Sequence, residues 1–355
     1  MMANTTTTLI SVIVMLCGCP APKSLPPPQQ PPPTVVAWLI GGQPGLDSLQ
    51  RNLAAVTVAS PAYYQVTHDG DATQLTDWDP GNPVDRKTVR RLTRQGHVAL
   101  LPLVACLGPC AGRMSATLRN PGQTRAHVEA ILTGVAPDET DGVFVDYEGL
   151  TCSASDFNRF IDQLAGKLHG QGKRLGLAIT EPCGISADCR REVYPFDIPH
   201  LAQVADHLSV MEYDYTVDGS DAVAPRAWVL RGLQRVRREV GSRRHKVQIG
   251  IPFYGRITAG LTRDTGVLWS EVEARRIQGQ PLRIKHQAFD ADKLSQVAQV
   301  TVGDRSGRLF YDDHTTLSQR LKLVREQGFD GIAIWRLGGE DPGNWGVIRG
   351  WIAGR

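Results

Sequence analysis

The sequence has no large excess of charge of either sign and no long apolar segment in its body. Its 39 Lys and Arg residues nearly balance 36 Asp and Glu residues, which leaves a formal net charge of +3. A dedicated nucleic-acid-binding protein carries a basic patch or a much larger positive charge, so we expect no nucleic-acid partner. Beyond the N-terminus, no apolar run reaches the roughly 18 residues that a membrane span requires. The 355 residues are 41% hydrophobic and 21% charged, which is typical of a globular protein with one large domain or two small ones.

Residues 1–19 are typical of a secretory signal. Residues 9–16 form an apolar core that is too short to cross a membrane. It ends in Leu16-Cys17-Gly18-Cys19, which resembles a bacterial lipobox, where the last cysteine becomes the lipidated first residue. We therefore expect a lipid anchor on Cys19, with an ordinary signal peptide as the alternative. Pro20 follows Cys19, whereas an Asp at this position of a lipoprotein would suggest retention in the inner membrane. By the same resemblance we therefore expect a cell-envelope protein on the outer membrane, facing the periplasm or the surface.

A proline-rich stretch separates this signal from the rest of the chain. Residues 20–33 read PAPKSLPPPQQPPP, a composition that cannot form a core. Such a segment is an extended, semi-rigid spacer of about 3.1 Å per residue. We expect it to link the anchor to one folded domain, residues 34–355.

Five cysteines remain in that domain, and secretion would place them where disulfides can form. Cys106 with Cys110 and Cys183 with Cys189 are close pairs that predict two disulfides. Cys152 is the odd cysteine, and it could replace either member of the first pair. A zinc site is the less favoured alternative, because no histidine lies at ligand spacing beside these cysteines. We expect no metal and no cofactor.

Short runs rich in Val, Ile and Leu alternate with amphipathic helical patterns along the domain. Strands buried on both faces that alternate with helices predict a parallel sheet. Eight such repeats fit a (β/α)8 TIM barrel, and the first strand lacks the glycine fingerprint of a dinucleotide-binding fold. Residues 257–309 are too long for one helix and predict a small insertion between the seventh and eighth strands. The predicted strands are 35–40, 53–59, 97–105, 142–148, 175–180, 207–213, 247–253 and 331–337.

The fourth predicted strand ends in two carboxylates. It reads Asp141-Gly142-Val143-Phe144-Val145-Asp146-Tyr147-Glu148, so Asp146 and Glu148 point the same way. Both lie at the end of the strand where a barrel keeps its active site. Two carboxyls at an apolar mouth repel each other when ionised, which raises the pKa of one of them. A carboxyl kept protonated near neutral pH can act as a general acid. The alternative is that the two carboxyls are a surface pair that binds Arg or helix ends and has no catalytic role.

Four motifs in the order of the predicted strands resemble family 18 glycoside hydrolases, the chitinase-type barrels. DGVFVDYE at 141–148 resembles the DGxDxDxE signature, and Met211-Glu212-Tyr213-Asp214 resembles MxYD. GIPFYGR at 250–256 resembles GxPxYGR, and GIAIW at 331–335 resembles the last strand with its terminal Trp. YDD at 311–313 and RLGGED at 336–341 are similar to the spore-germination and cortex-lytic branch. The resemblance covers residues 35–355.

The resemblance implies a retaining mechanism in which the acetamido oxygen of the sugar is the nucleophile. Glu148 matches the general acid, and Asp146 matches the residue that binds the acetamido N–H and stabilises the oxazolinium ion. Tyr213 matches the hydroxyl that holds the acetamido group, and Trp335 matches the aromatic floor of the subsite. Asp214 and Arg256 match supporting polar groups. Tyr213 and Trp335 could instead belong to the core, and Arg256 could bind the insertion.

One position departs from the family pattern. Phe144 stands where the family has its second Asp, and it cannot share a proton with Asp146. We expect it to desolvate Asp146 from below and raise its pKa, and we expect a weaker preference for chitin. The implied function is cleavage of β-1,4 bonds next to N-acetylglucosamine in peptidoglycan or a chitin-like glycan. We expect the protein to be a monomer. A non-catalytic carbohydrate-binding barrel is the alternative, with an envelope scaffold as a third class.

Overall fold

Eight parallel strands close into a barrel around the main hydrophobic core. The computed structural model describes residues 33–180, 195–215, 221–258, 266–277 and 279–354. In chain order the strands and α-helices are β1 (Val35–Leu39), α1 (Gln43–Asn52), β2 (Val58–Asp69), β3 (Ala72–Asp77), α2 (Arg86–Gly96), β4 (Ala99–Leu100), β5 (Leu103–Cys106), α3 (Cys110–Arg119), α4 (Pro121–Val135), β6 (Gly142–Tyr147), α5 (Ala154–Gly170), β7 (Arg174–Thr180), α6 (Ile198–Val204), β8 (His207–Met211), α7 (Arg226–Val240), β9 (Val247–Pro252), β10 (Arg256–Ile257), α8 (Trp269–Glu273), β11 (Arg276–Ile277), β12 (Gln280–Asp290), β13 (Ser295–Val302), β14 (Arg305–Tyr311), α9 (His314–Glu326), β15 (Gly331–Trp335) and α10 (Gly343–Ala353).

The barrel closes because β1 pairs in parallel with both β2 and β15. Val36 lies opposite Val58 on β2 and opposite Ala333 on β15. The other barrel strands follow in the order β2, β5, β6, β7, β8, β9 and β15. All residues of β1, β6 and β9 are buried, as strands covered on both faces must be. This arrangement confirms the predicted TIM barrel.

Two predicted strand boundaries were wrong. Residues Leu53–Ala55 form a short 3₁₀ helix, and β2 begins at Val58 and runs out of the barrel into an antiparallel hairpin with β3. The predicted strand 97–105 is divided into β4 and β5 around Pro102. Proline has no N–H to donate to the ladder, which explains the break.

In the helix after β6, Ser155 stands just before the helically spaced Phe157, Phe160 and Ile161, which predicts Ser155 as the N-cap. The N-cap is instead Ser153, whose side chain accepts a hydrogen bond from the N–H of Asp156. The Asp156 side chain in turn accepts from the N–H of Ser153, which completes a capping box. The reciprocal bonds satisfy two N–H groups that a helix start otherwise leaves unpaired.

The predicted insertion between the last two barrel strands is present as a five-stranded antiparallel sheet. The sheet has the order β10, β14, β13, β12 and β11, and it runs from Arg256 to Tyr311. It packs its own small apolar cluster, which includes Val267, Leu282 and Leu309. Among the described residues no helix has the length and apolarity that crossing a membrane requires.

Candidate functional site

The end of β6 places one carboxyl inside the barrel mouth and a second one just beyond the strand. Asp146 is buried, and it lies between Ala105 of β5 and Ala178 of β7 in the strand register. These small neighbours leave room for its side chain. Glu148 follows the strand and is partly buried; its N–H donates to the carbonyl of Cys106 at 3.1 Å.

An aromatic layer lies beneath Asp146. Phe144 is fully buried, and its ring sits against Gly176 of β7, where a Cβ atom would approach the ring to 2.3 Å. Trp38 of β1 packs edge-on against Phe144 at 5.6 Å between ring centroids. It also contacts Trp335, 6.0 Å away. The floor of the site is therefore apolar at the position where the family pattern has an Asp.

Burial disfavours the charged form of both carboxyls. It raises the pKa of Asp146 well above its usual range, and the nearby charge of Glu148 raises it further. In the part of the chain that the structure describes, the buried Oδ1 atom of Asp146 has no hydrogen-bond partner. Burial raises the pKa of Glu148 to about 7, and the charge of Asp214 adds to this effect. The pair therefore holds a proton near neutral pH.

Tyr213 lies among these carboxyls. Its ring packs over Gly250 of β9, where a Cβ atom would come within 2.7 Å of the ring. Burial raises the pKa of Tyr213 well above 10, with further contributions from the charges of Asp146, Asp214 and Glu148. The hydroxyl therefore keeps its proton and can donate a hydrogen bond beside three carboxyls.

Asp214 turns the chain at the mouth and is held there by two donors. Its φ of 62° lies in the left-handed region, which non-glycine residues adopt infrequently. Its Oδ1 atom accepts from the Tyr254 hydroxyl at 2.5 Å and from the guanidinium of Arg256. Arg256 also lies over the Tyr254 ring at 5.5 Å, so it joins the first strand of the insertion to the site.

Sequence reasoning missed Tyr254, although it stands inside the GIPFYGR motif. The signal was its position between Pro252 and Arg256, at the end of a barrel strand. Tyr254 packs edge-on against Tyr213 at 6.2 Å, so it supports both Tyr213 and Asp214. Trp335 ends β15, is partly buried and contacts Trp38, and its peptide bond to Arg336 is cis.

Behind β6, a second missed network fixes the residue between the two carboxyls. The hydroxyl of Tyr147 lies 2.7 Å from Nε2 of His127, whose Nδ1 lies 2.8 Å from the Thr73 hydroxyl. The Tyr147 ring also stacks on Phe160 of α5 at 5.6 Å. Burial lowers the pKa of His127 to about 3, so this support is uncharged at neutral pH and adds no charge beside Glu148.

The cysteines are distributed as follows. Cys106 and Cys110 form a disulfide, and Cys152 is buried and has no disulfide partner among the described residues, with a pKa that burial raises to about 11. Cys19, Cys183 and Cys189 lie outside the described residues. Within the described ranges, no group of three or more His, Cys, Asp or Glu side chains is arranged to hold a metal ion.

Comparison with known proteins identifies the family of the chain. The model of glycosyl hydrolases family 18 matches residues 51–340. The chain belongs to this family. A protein of Bacillus subtilis (strain 168) described as a sporulation-specific glycosylase, YdhD, is 25% identical over 296 residues, which are 79% of this chain and 66% of the relative. The chitinase-like mite allergen Der f 18.0101 of Dermatophagoides farinae is 22% identical over 57% of this chain and 47% of its own length. The chain therefore spans about half to two thirds of these two relatives.

Solved structures share the family 18 barrel. The chitinase from Chromobacterium violaceum ATCC 12472 superposes with a TM-score of 0.72 at 21% identity, over 91% of this chain and 100% of that chain. The spore cortex-lytic enzyme SleL of Bacillus megaterium QM B1551 superposes with a TM-score of 0.73 at 17% identity, over 91% and 75%. At these identities the likeness establishes the fold.

The raised pKa of Glu148 makes a prediction about the stability of this family 18 barrel. The native protein binds the proton more tightly than the unfolded chain does, so this stabilisation is complete below pH 4.5 and is lost as the pH rises through about 7. Glu148→Gln should therefore gain stability relative to the wild type by up to about 3 kcal/mol between pH 4.5 and pH 7.5. Urea unfolding across this pH range measures the difference.

The control is Glu129→Gln, because Glu129 is an exposed residue of α4 whose one ion pair among the described residues, with Lys167, is also exposed. This variant should differ from the wild type by no more than about 1 kcal/mol at any pH. Parallel curves of unfolding free energy against pH for Glu148→Gln and the wild type would contradict the burial argument.

Proposed function

We propose that this family 18 protein hydrolyses β-1,4 glycosidic bonds next to N-acetylglucosamine, with retention and with help from the substrate. The supporting observation is Glu148, whose pKa of about 7 keeps a proton available at the barrel mouth beside buried Asp146. A general acid works best when its pKa lies near the operating pH. Glu148 is the proton donor in this proposal.

The environment of Asp146 favours the acetamido oxygen over a carboxylate nucleophile. Retaining enzymes of the two-carboxylate type need an ionised second carboxyl, whereas this family is an exception to that scheme. Asp146 is buried, and its pKa is raised well above its usual range, which makes it a poor nucleophile. The unpartnered Oδ1 of Asp146 is instead an acceptor that the acetamido N–H of the sugar would satisfy.

The steps follow from these roles. Glu148 protonates the glycosidic oxygen while the acetamido oxygen attacks C1, which breaks the glycosidic bond and forms an oxazolinium ion. Asp146 stabilises the positive ring, the Tyr213 hydroxyl holds the acetamido group, and Trp335 packs on the sugar face. Glu148 then takes a proton from water, which attacks C1 and restores the acetamido group. Asp214 and Arg256 hold the mouth in shape.

Two of the similar proteins have names that refer to spores and support a bacterial cell-wall glycan as the polymer, whereas the Chromobacterium structure and the mite allergen are named for chitinases. YdhD is described as a sporulation-specific glycosylase, and SleL is a spore cortex-lytic enzyme. Phe144 in place of the family Asp also weakens the likeness to chitinases. We therefore assign the chain to the cortex-lytic type of family 18 and to an N-acetylglucosamine-containing cell-wall glycan.

Glu148→Gln keeps the size and most hydrogen bonds of Glu148 but cannot donate the proton. Turnover on muropeptide strands or chitooligosaccharides should fall by about 10²–10⁴-fold while glycan binding survives. Asp146→Asn should also slow turnover, because Asn cannot take on the negative charge that stabilises the oxazolinium ion in a water-poor site once Glu148 has given its proton to the leaving group. Product masses measure the rates, and Glu129→Gln should keep the wild-type rate. Unchanged turnover in Glu148→Gln would exclude this site.

The substrate-assisted scheme makes a separate prediction about the acetyl group. A glycan whose N-acetyl group has been removed at the cleavage sugar lacks the nucleophile, so cleavage at that sugar should stop. Time-resolved NMR of acetylated substrates should show products with the β configuration first. Equal cleavage with and without the acetyl group would rule out substrate assistance.

The alternative function is a carbohydrate-binding barrel without turnover. Phe144 favours it, because a Phe cannot share the proton of Asp146 as the family Asp does. Turnover and glycan binding of the wild type and of Glu148→Gln distinguish a glycosidase from a binding barrel. A binding barrel leaves the glycan uncleaved in the wild type and binds it equally well after Glu148→Gln.

The proposed location also follows from the sequence. We propose a lipid anchor at Cys19, the linker 20–33 and an outer-membrane position, where the domain would meet peptidoglycan. Metabolic labelling with a palmitate analogue should tag the wild type and not Cys19→Ser. Equal labelling of both would exclude the anchor and leave an ordinary secretory signal.

A further inference from the structure

The Cys106–Cys110 disulfide lies at one of the two supports of the segment that carries Glu148. Cys106 is the buried last residue of β5 and lies opposite Tyr147 in the strand register. Its carbonyl accepts the N–H of Glu148 at 3.1 Å. This backbone bond is the first contact that fixes the segment after β6.

Helix α3 is the second support, and it begins at Cys110. The N–H of Thr151 donates to the Ser115 hydroxyl at 2.8 Å, and the Arg119 guanidinium donates to the Thr151 carbonyl at 2.6 Å. Gly149 has a φ of 71°, and a Cβ atom there would lie 3.5 Å from the Cβ of Ala111. Residues 148–151 are thus held between the end of β5 and the first three turns of α3.

The disulfide joins these two supports across a short exposed turn. Its cysteines are only four positions apart, and Gly108 and Pro109 between them are exposed. A short loop restricts the unfolded chain less than a long one, so this disulfide adds little to global stability through loop closure. Its main effect is local, because it fixes the corner from which both supports of the Glu148 segment extend.

We propose that the Cys106–Cys110 disulfide is a redox-sensitive positioning element for Glu148. This inference rests on the proposed function, since it concerns the placement of the same general acid. Reduction by a dithiol begins with attack on the sulfur of partly buried Cys110, which breaks the S–S bond and releases the Cys106 thiolate. The dithiol closes to its own disulfide, and the two cysteines gain two electrons and two protons. The β5 end and the α3 start can then move apart.

The test compares the oxidised and dithiothreitol-reduced protein on the same N-acetylglucosamine glycan. A misplaced catalytic group costs up to about a hundredfold in rate, so kcat should fall by about tenfold to a hundredfold on reduction. KM should change less than about twofold, because Trp335 and Tyr213 stand on other strands. Reoxidation should restore kcat. Unchanged kcat after complete reduction would overturn the proposal.

The matched control is the double variant Cys106→Ala/Cys110→Ala. It should show the low kcat of the reduced wild type and no further response to dithiothreitol. If dithiothreitol still lowers its kcat, the effect comes from other cysteines, such as Cys183 and Cys189, and the proposal is wrong. If the double variant does not fold, the reversible response of the wild type remains the deciding measurement.

Hydrogen exchange supplies a readout that does not depend on activity. Reduction should speed exchange of the Glu148 and Thr151 amides, whose acceptors are Cys106 and Ser115, and leave the amide of Ile249 in β9 unchanged. Faster exchange together with no glycan cleavage in either redox state would reject the proposed function and keep the positioning role of the disulfide. Unchanged exchange at both amides would overturn the positioning role itself.

Discussion

The pairing of β1 with both β2 and β15 closes the sheet, and this closure determines where the side chains of the site can lie. A closed parallel barrel brings the carboxyl ends of all its strands to one mouth. It also creates an interior that must be filled, because cores are packed as densely as organic crystals. Trp38, Phe144 and Trp335 supply this filling below the mouth.

Two large aromatic side chains of the barrel, Phe144 and Tyr213, are accommodated by glycines on neighbouring strands. Gly176 gives space to the ring of Phe144, and Gly250 gives space to the ring of Tyr213. A Cβ atom at Gly250 would also meet the carbonyl of Val210 at 2.8 Å, so the backbone there cannot move aside cheaply. The position of Tyr213 beside the carboxyls is therefore set by the barrel itself.

The barrel and the carboxylate pair could be predicted from the sequence because both depend on local patterns. Strand periodicity gave the eight strands, and alternation in 141–148 put Asp146 and Glu148 on one side of β6. Contacts between distant segments were not predictable in this way. His127 of α4 reaches Tyr147 of β6 and Thr73 of β3, and neither spacing nor residue type in those segments indicates the pairing.

The predicted starts of β2 and α5 were wrong, because they depend on local backbone and capping contacts that hydrophobic periodicity does not report. The hydrophobic run around Leu53 has strand composition, yet it begins as a 3₁₀ turn that continues from α1. Ser153 and Ser155 both suit a helix start, and the reciprocal bond with Asp156 decides between them. The Cys106–Cys110 pairing was favoured from sequence because the two cysteines lie only four positions apart, and the structure has this disulfide and not the alternative with Cys152.

Phe144 connects the packing of the barrel to the chemistry of the mouth. An Asp at this position would lie fully buried against Trp38 and Gly176, where a charge is costly without a partner. With Phe144 there, the layer below Asp146 offers no acceptor for a proton. Burial and the charge of Glu148 raise the pKa of Asp146, and burial and the charge of Asp214 raise the pKa of Glu148 to about 7. An acid that keeps its proton near pH 7 thus arises here from burial and the neighbouring charge of Asp214, without the third carboxyl of the family pattern.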